Sequence, residues 1–156
     1  MTNKRLKKGL LITGILFLMN SMMIAQESKP VLLLWDSSNF KDQLAEEIIA
    51  IAEDSGVELE LEDSASSIQK LSLMDYSGII VLNRGTIGKM NRKVTKVLEE
   101  RDTLPPMVIV TTFAHPSGKK NQLEPYPMVD GITSASLKED DEIQALAEEV
   151  FAFLNL

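Results

Sequence analysis

Three short stretches of this chain hold side chains that can do chemistry. "WDSSNF", residues 35–40, sets Asp36, Ser37, Ser38 and Asn39 between an apolar run and an amphipathic one. Hydroxyl and amide groups therefore stand where a helix begins, and the least such residues do there is cap it. "NRGTIG", residues 83–88, offers Asn83, the guanidinium of Arg84, and Gly85 and Gly88. Arg84 can meet an anion bidentately or lie solvated on the surface, and the two glycines leave the backbone free to approach a ligand or simply to turn. "FAHPSGKKNQLEPYPMVDG", residues 113–131, supplies Phe113, His115 and Tyr126 as rings able to stack, with Lys119 and Lys120 as cations.

Other chemistries are poorly served. His115 is the single histidine and there is no cysteine, which excludes a histidine zinc cluster, a thiolate metal site, a disulfide and a lipid-bearing cysteine. A Ser-His-Asp triad would have to use His115, and no G-x-S-x-G turn precedes a helix. "KEDDE", residues 138–142, lacks the spaced oxygen ligands of a calcium loop and suits the positive end of a helix dipole. No metal is expected.

The first residues bound the compartment. Lys4, Arg5, Lys7 and Lys8 precede an apolar run from Gly9 to Met19, the pattern of a secretory signal peptide, with small Ala25 at the expected cut and larger Met23 two residues earlier. Residues 1–25 are thus a signal peptide or an uncleaved N-terminal membrane anchor, 26–30 a short tether, and 31–156 one domain. The protein is expected outside the cytoplasm: periplasmic, extracellular, or anchored at the outer membrane face, with membrane contact only through that first segment. Residues 1–25 hold four of the 16 Lys+Arg and none of the 23 Asp+Glu, so the remainder carries a formal charge of −11. Such a surface repels nucleic acid and anionic lipid.

The elements that must position the three loops follow from periodicity. "VLLLW", residues 31–35, is a continuous apolar run, as in a strand covered on both faces. Phe40, Leu44, Ile48 and Ile51 mark a helix over 40–55 that Gly56 ends. "VELELE", residues 57–62, alternates and reads as an edge strand with one wet face. Ile79–Leu82 forms a second fully apolar strand; Met90, Val94, Val97 and Leu98 mark a helix closing near Arg101, before Pro105 and Pro106. "MVIVTT", residues 107–112, is the next strand, and Ile143, Leu146, Ala147, Val150, Phe151 and Leu154 follow the spacing of a one-sided helix. Strands alternating with helices argue for a parallel α/β domain, whose ligands sit beyond the carboxyl ends of the strands. That places loops 36–39, 83–89 and 113–127 together.

Over residues 31–156 the chain resembles the flavodoxin-like family. "DYSGIIVLNRGTIGKMNRKVTKVLEE" is similar to the family's third strand, second flavin loop and following helix, with Tyr76, Gly78, Ile79, Ile80, Gly88 and Met90 in matching places. "FKDQLAEEIIAIAEDSGVELELED" resembles its first helix and second strand, and "VDGITSAS" its last short strand and turn. The resemblance implies a three-layer sandwich around a parallel sheet of about five strands in the order 2-1-3-4-5. The Pro- and Gly-rich third loop implies a lost or reduced fourth crossover helix. It further implies FMN, with Ser37, Ser38 and Asn39 at the phosphate, Asn83, Arg84, Gly85 and Gly88 along the ring edge, and Phe113, His115 or Tyr126 stacking.

The departures from the family pattern open a second role. Its Ser/Thr-x-Thr-Gly-Asn-Thr loop is here "DSSNF", shortened and without Gly, and Asp36 adds a negative charge where the phosphate would lie. The second loop lacks its aromatic near Ile87. The chain is therefore either an exported FMN-binding electron-transfer domain, or the same fold without flavin, binding another anionic small molecule or a protein partner through the 113–127 loop.

Overall fold

The structure, a computed structural model, describes residues 28–85, 89–101, 103–112, 129–134 and 140–155. The segment expected to be a signal peptide or anchor, residues 1–25, and the crossover expected to be reduced, within 113–128, lie outside the described residues. β1 spans Val31–Trp35, α1 Asn39–Ser55, β2 Leu59–Glu62 and β3 Gly78–Arg84. α2 spans Arg92–Glu100, β4 Met107–Thr112, β5 Val129–Ser134 and α3 Asp140–Phe153. Between β2 and β3 the chain makes two 3-10 turns, Ala65–Lys70 and Leu73–Asp75, instead of a full helix.

The five strands form one parallel sheet in the order β2-β1-β3-β4-β5, as the resemblance implies. Trp35 pairs with Leu82, and Arg84 with Thr112, so β1, β3 and β4 end together at one edge. Alternating strand residues feed two cores. Val31, Leu33, Ile80, Leu82, Val108 and Val110 pack beneath α1 and α3; Leu32, Leu34, Ile79, Val81, Met107 and Ile109 pack beneath α2 and the 3-10 turns. Both faces are covered, which is why these strands are apolar throughout, and each fully buried Leu or Ile contributes roughly 1.5–3 kcal/mol. β2 is the edge strand that its alternation predicts, with Glu60 exposed, but Leu61 is exposed as well, against the expected single wet face, and the strand is two residues shorter at its start than the sequence suggests.

Helix ends fix where the loops leave the layers. Ser38, extended at φ −166°, accepts from Lys41 N to start α1, and Gly56 closes it at φ +69°, a left-handed conformation that favours glycine. The fully buried face of α1 is Lys41, Leu44, Ala45, Ile48 and Ala52, whereas Phe40 and Ile51 are half-buried at its margin. The inward stripe is thus rotated by one residue from the expected one. The rotation brings a lysine onto the apolar side.

Candidate functional site

The strand order reverses between β1 and β3. The chain leaves β1 for α1 on one face of the sheet, and leaves β3 for α2 on the other. Parallel α/β sheets carry their ligand crevice at such a reversal, outside the carboxyl ends of the strands. Asp36 ties its walls. Its N–H donates to Leu82 O at 3.0 Å, its Oδ1 accepts from Ala65 N at 3.1 Å, and its Oδ2 accepts from Arg84 N at 3.1 Å. Half-buried Asp36 therefore holds the end of β3 and the first 3-10 turn against the end of β1. A carboxylate predicted only to oppose an anion is also the staple of the crevice.

The serines are engaged within the turn. Ser38 Oγ accepts from Lys41 N at 3.4 Å, the helix-capping alternative. Ser37 Oγ donates to Asp42 Oδ2 at 3.0 Å, and Trp35 Nε1 donates to Asp42 Oδ1 at 3.2 Å. Asp42 lies in the first turn of α1, where a negative charge suits the helix dipole. Asn39 is exposed at the first helical position, and Phe40 packs against the core shared by α1 and α3.

In the second loop the expected ring-edge residues separate. Asn83 is fully buried: its Nδ2 donates to Thr111 Oγ1 at 2.6 Å and its Oδ1 accepts from Asn91 N at 3.0 Å. Asn91 caps α2 by accepting from Lys93 N at 2.9 Å and reaches Ser66 Oγ at 3.2 Å. Asn83 thus closes the base of the loop rather than facing its mouth. Arg84 is exposed at the crevice, and Gly85 N donates to Thr112 O at 2.9 Å. Gly88, Phe113, His115, Tyr126, Lys119 and Lys120 lie outside the described residues.

The sequence reading did not single out Lys41. It is 1% exposed, and its ammonium makes no hydrogen bond or ion pair among the described residues. Burial pushes its ammonium below the ordinary lysine pKa; Asp36 and Asp42 act in the opposite sense, and Arg84 adds to the lowering. The signal was present as a lysine three and four residues before Leu44 and Ala45, in register with a buried helical stripe. Among the described residues no group of three His, Cys, Asp or Glu side chains is placed to hold a metal ion.

No family model matches the chain, and no curated protein matches it in sequence. Solved structures do match in fold. The oxidised flavodoxin 1 of Bacillus cereus is 17% identical with a TM-score of 0.56, the match covering 82% of this chain and 98% of that one. A flavodiiron core from Synechocystis is 17% identical with a TM-score of 0.62, covering 92% of this chain and 39% of that one. General stress protein 14 of Treponema denticola, solved in complex with FMN, is 9% identical with a TM-score of 0.51, covering 81% and 98%. The matches span only 36% of the flavo di-iron protein of Thermotoga maritima and 39% of the Synechocystis flavodiiron core. These likenesses show a flavodoxin-like fold.

Proposed function

We propose that the chain is an exported flavodoxin-like domain that binds FMN at the carboxyl edge of its sheet and serves electron transfer. The observation carrying this reading is the reversed strand order, which brings the start of α1 and the end of β3 to one crevice. The flavodoxins among the fold neighbours, and the Treponema protein bound to FMN, support flavin as its ligand. A bound flavin supplies the redox chemistry; the chain's part is to orient the ring and set its environment. Export rests on the basic and apolar pattern of residues 1–25.

A second role is favoured by a specific observation. Ser37 and Ser38, the expected phosphate donors, are both engaged within their own turn. The crevice would then serve a binding module without flavin, which meets an anionic small molecule or a protein partner through loops 83–89 and 113–127. Titration of the full chain with FMN, followed by quenching of flavin fluorescence, decides between them. Micromolar binding, about 8 kcal/mol, supports electron transfer. Absence of binding at millimolar FMN rejects it and leaves the module.

A further inference from the structure

The β2 flank of the sheet carries bonding capacity that the fold does not use. Val31 N donates to Glu58 O at 2.8 Å, and Val31 stands beside Leu59 in register. The evenly spaced bonds of a parallel pair then engage the backbone of Glu58, Glu60 and Glu62 with β1, and turn the N–H and C=O groups of Leu59 and Leu61 outward. β2 is the last strand on this side, and among the described residues no partner beyond β1 meets those groups. Leu59 packs against the core beneath α1 and α3, whereas Leu61, on the same face of the strand, is 47% exposed. On the opposite face Glu60 Oε1 accepts from Tyr76 Oη at 2.6 Å, which holds the strand in place.

Charge decides what can pair there. Residues 42–69 hold nine of the chain's 23 Asp+Glu and no Lys or Arg. Glu58, Glu60 and Asp63 are exposed on or beside β2, and Glu62 is half-buried. Sheet edges are commonly protected by Lys, Pro or a bulge. β2 has neither Lys nor Pro, and its register with β1 runs unbroken from Leu59 to Glu62. Its protection is a single sign of charge, which repels a second copy of the same strand and attracts one that carries cations.

We infer that β2 is a docking edge for an extended basic segment of another protein, in which Lys or Arg alternates with apolar residues. Such a segment adds a strand through the backbone of Leu59 and Leu61, sets its cations beside Glu60 and Glu62 on one face, and lays its apolar side chains against Leu61 on the other. The surface runs along the flank of the sheet, so the inference stands whether or not the carboxyl edge holds flavin.

The test is a nuclear magnetic resonance titration of the full chain with the pentapeptide acetyl-Lys-Val-Lys-Val-Lys-amide. The control, acetyl-Lys-Pro-Lys-Pro-Lys-amide, has the same charge but cannot complete a ladder. The Lys-Val probe is expected to bind about tenfold more tightly than the control, a difference of one decade in Kd. At a probe concentration about ten times its Kd, exchange of the Leu59 and Leu61 amides should slow about tenfold, while those of Glu60 and Glu62, already turned to β1, stay as they were. Leu61→Pro removes an outward N–H without touching the β1 ladder, and should weaken the Lys-Val probe to the level of the control. Equal affinity for the two probes overturns the proposal, because charge alone then explains the binding. So does parental affinity in Leu61→Pro, or no binding up to about 10 mM probe, a ceiling beyond millimolar affinity. A parent that sediments as a dimer, with Leu59 and Leu61 amides protected before any probe is added, gives the edge to a second copy and overturns it too. Should Leu61→Pro fail to fold, the parent's amides decide: slowing at Leu59 and Leu61 with the Lys-Val probe alone supports the docking edge, and no slowing overturns it.

Discussion

Replacing Asn83 by Ala should unfold the base of the second loop before it affects any ligand. The amide is fully buried and makes two hydrogen bonds, to Thr111 Oγ1 at 2.6 Å and from Asn91 N at 3.0 Å. Each contributes about 1 kcal/mol net, and the partner groups left without acceptor or donor cost about 1–3 kcal/mol where water cannot replace the amide. The expected loss is about 3 kcal/mol, a sizeable share of the roughly 5–15 kcal/mol that holds a domain together. Trp35 is the only tryptophan and lies at the neighbouring strand end, so its fluorescence reports urea unfolding directly. With a slope near 2 kcal/mol per molar urea, the midpoint should fall by about 1.5 M. Thr111→Val in the same cycle should cost less on the Asn83→Ala background than alone, because the pair is already broken. A midpoint shift below about 0.3 M, set against that slope, would refute the structural role, more so if FMN binding vanished with it.

Asp36→Asn should cost roughly 2 kcal/mol, because an amide nitrogen must face either Ala65 N or Arg84 N where an oxygen now accepts at 3.1 Å; a change in melting temperature within error would show that the staple carries no energy. Tyr76 donates to Glu60 Oε1 at 2.6 Å, and burial, then Glu60, push its phenol from 10.0 up to about 12. The folded protein holds that proton more tightly than the unfolded chain, so the contribution is present below pH 10 and lost as pH rises through about 12. After allowance for screening near the surface it amounts to roughly 1–2 kcal/mol, and Tyr76→Phe should flatten that part of the stability-pH profile. An unchanged profile would mean another group causes it. Gly56→Ala should lose about 1 kcal/mol from the φ of +69° alone, since its position is open and a Cβ meets nothing within 4 Å; urea midpoints equal to the parent would show that the cap relaxes.

What could be read in the sequence divides by physical cause. β1 and β4 were legible to the residue because burial on both faces leaves an unbroken apolar run, and "VLLLW" and "MVIVTT" have no alternative period to follow. The start of β2 was overextended because alternation in "VELELE" continues past the point where pairing with Val31 begins, at Leu59. The stripe of α1 was misplaced because Phe40 and Ile51 look like core residues by type, whereas the helix turns small Ala45 and Ala52, and Lys41, inward to let α1 lie close to the sheet and α3. Composition finds apolar residues; it does not find a buried lysine. Hydrogen-bond partners were less legible still. Ser37, Ser38 and Asn83 have ligand-binding chemistry, but which atoms they meet depends on Asp42, Lys41, Thr111 and Asn91, which only the fold brings to them.

The two ends of an FMN molecule ask separate questions of this chain. The phosphate end would fall at the start of α1, where Lys41 is buried and its ammonium makes no hydrogen bond or ion pair among the described residues. The ring end would fall against loops 83–89 and 113–127, which lie far from α1's first turn along the chain. FMN and riboflavin share the ring and differ in the phosphate, so the ratio of their affinities measures the α1 end alone. A tenfold preference for FMN corresponds to about 1.4 kcal/mol, the strength of a charge-assisted contact, and should disappear in Lys41→Met. If the preference survives that substitution undiminished, the phosphate is held elsewhere, and the buried lysine must be explained as a packing residue whose stem, not its charge, fills the space between α1 and β1.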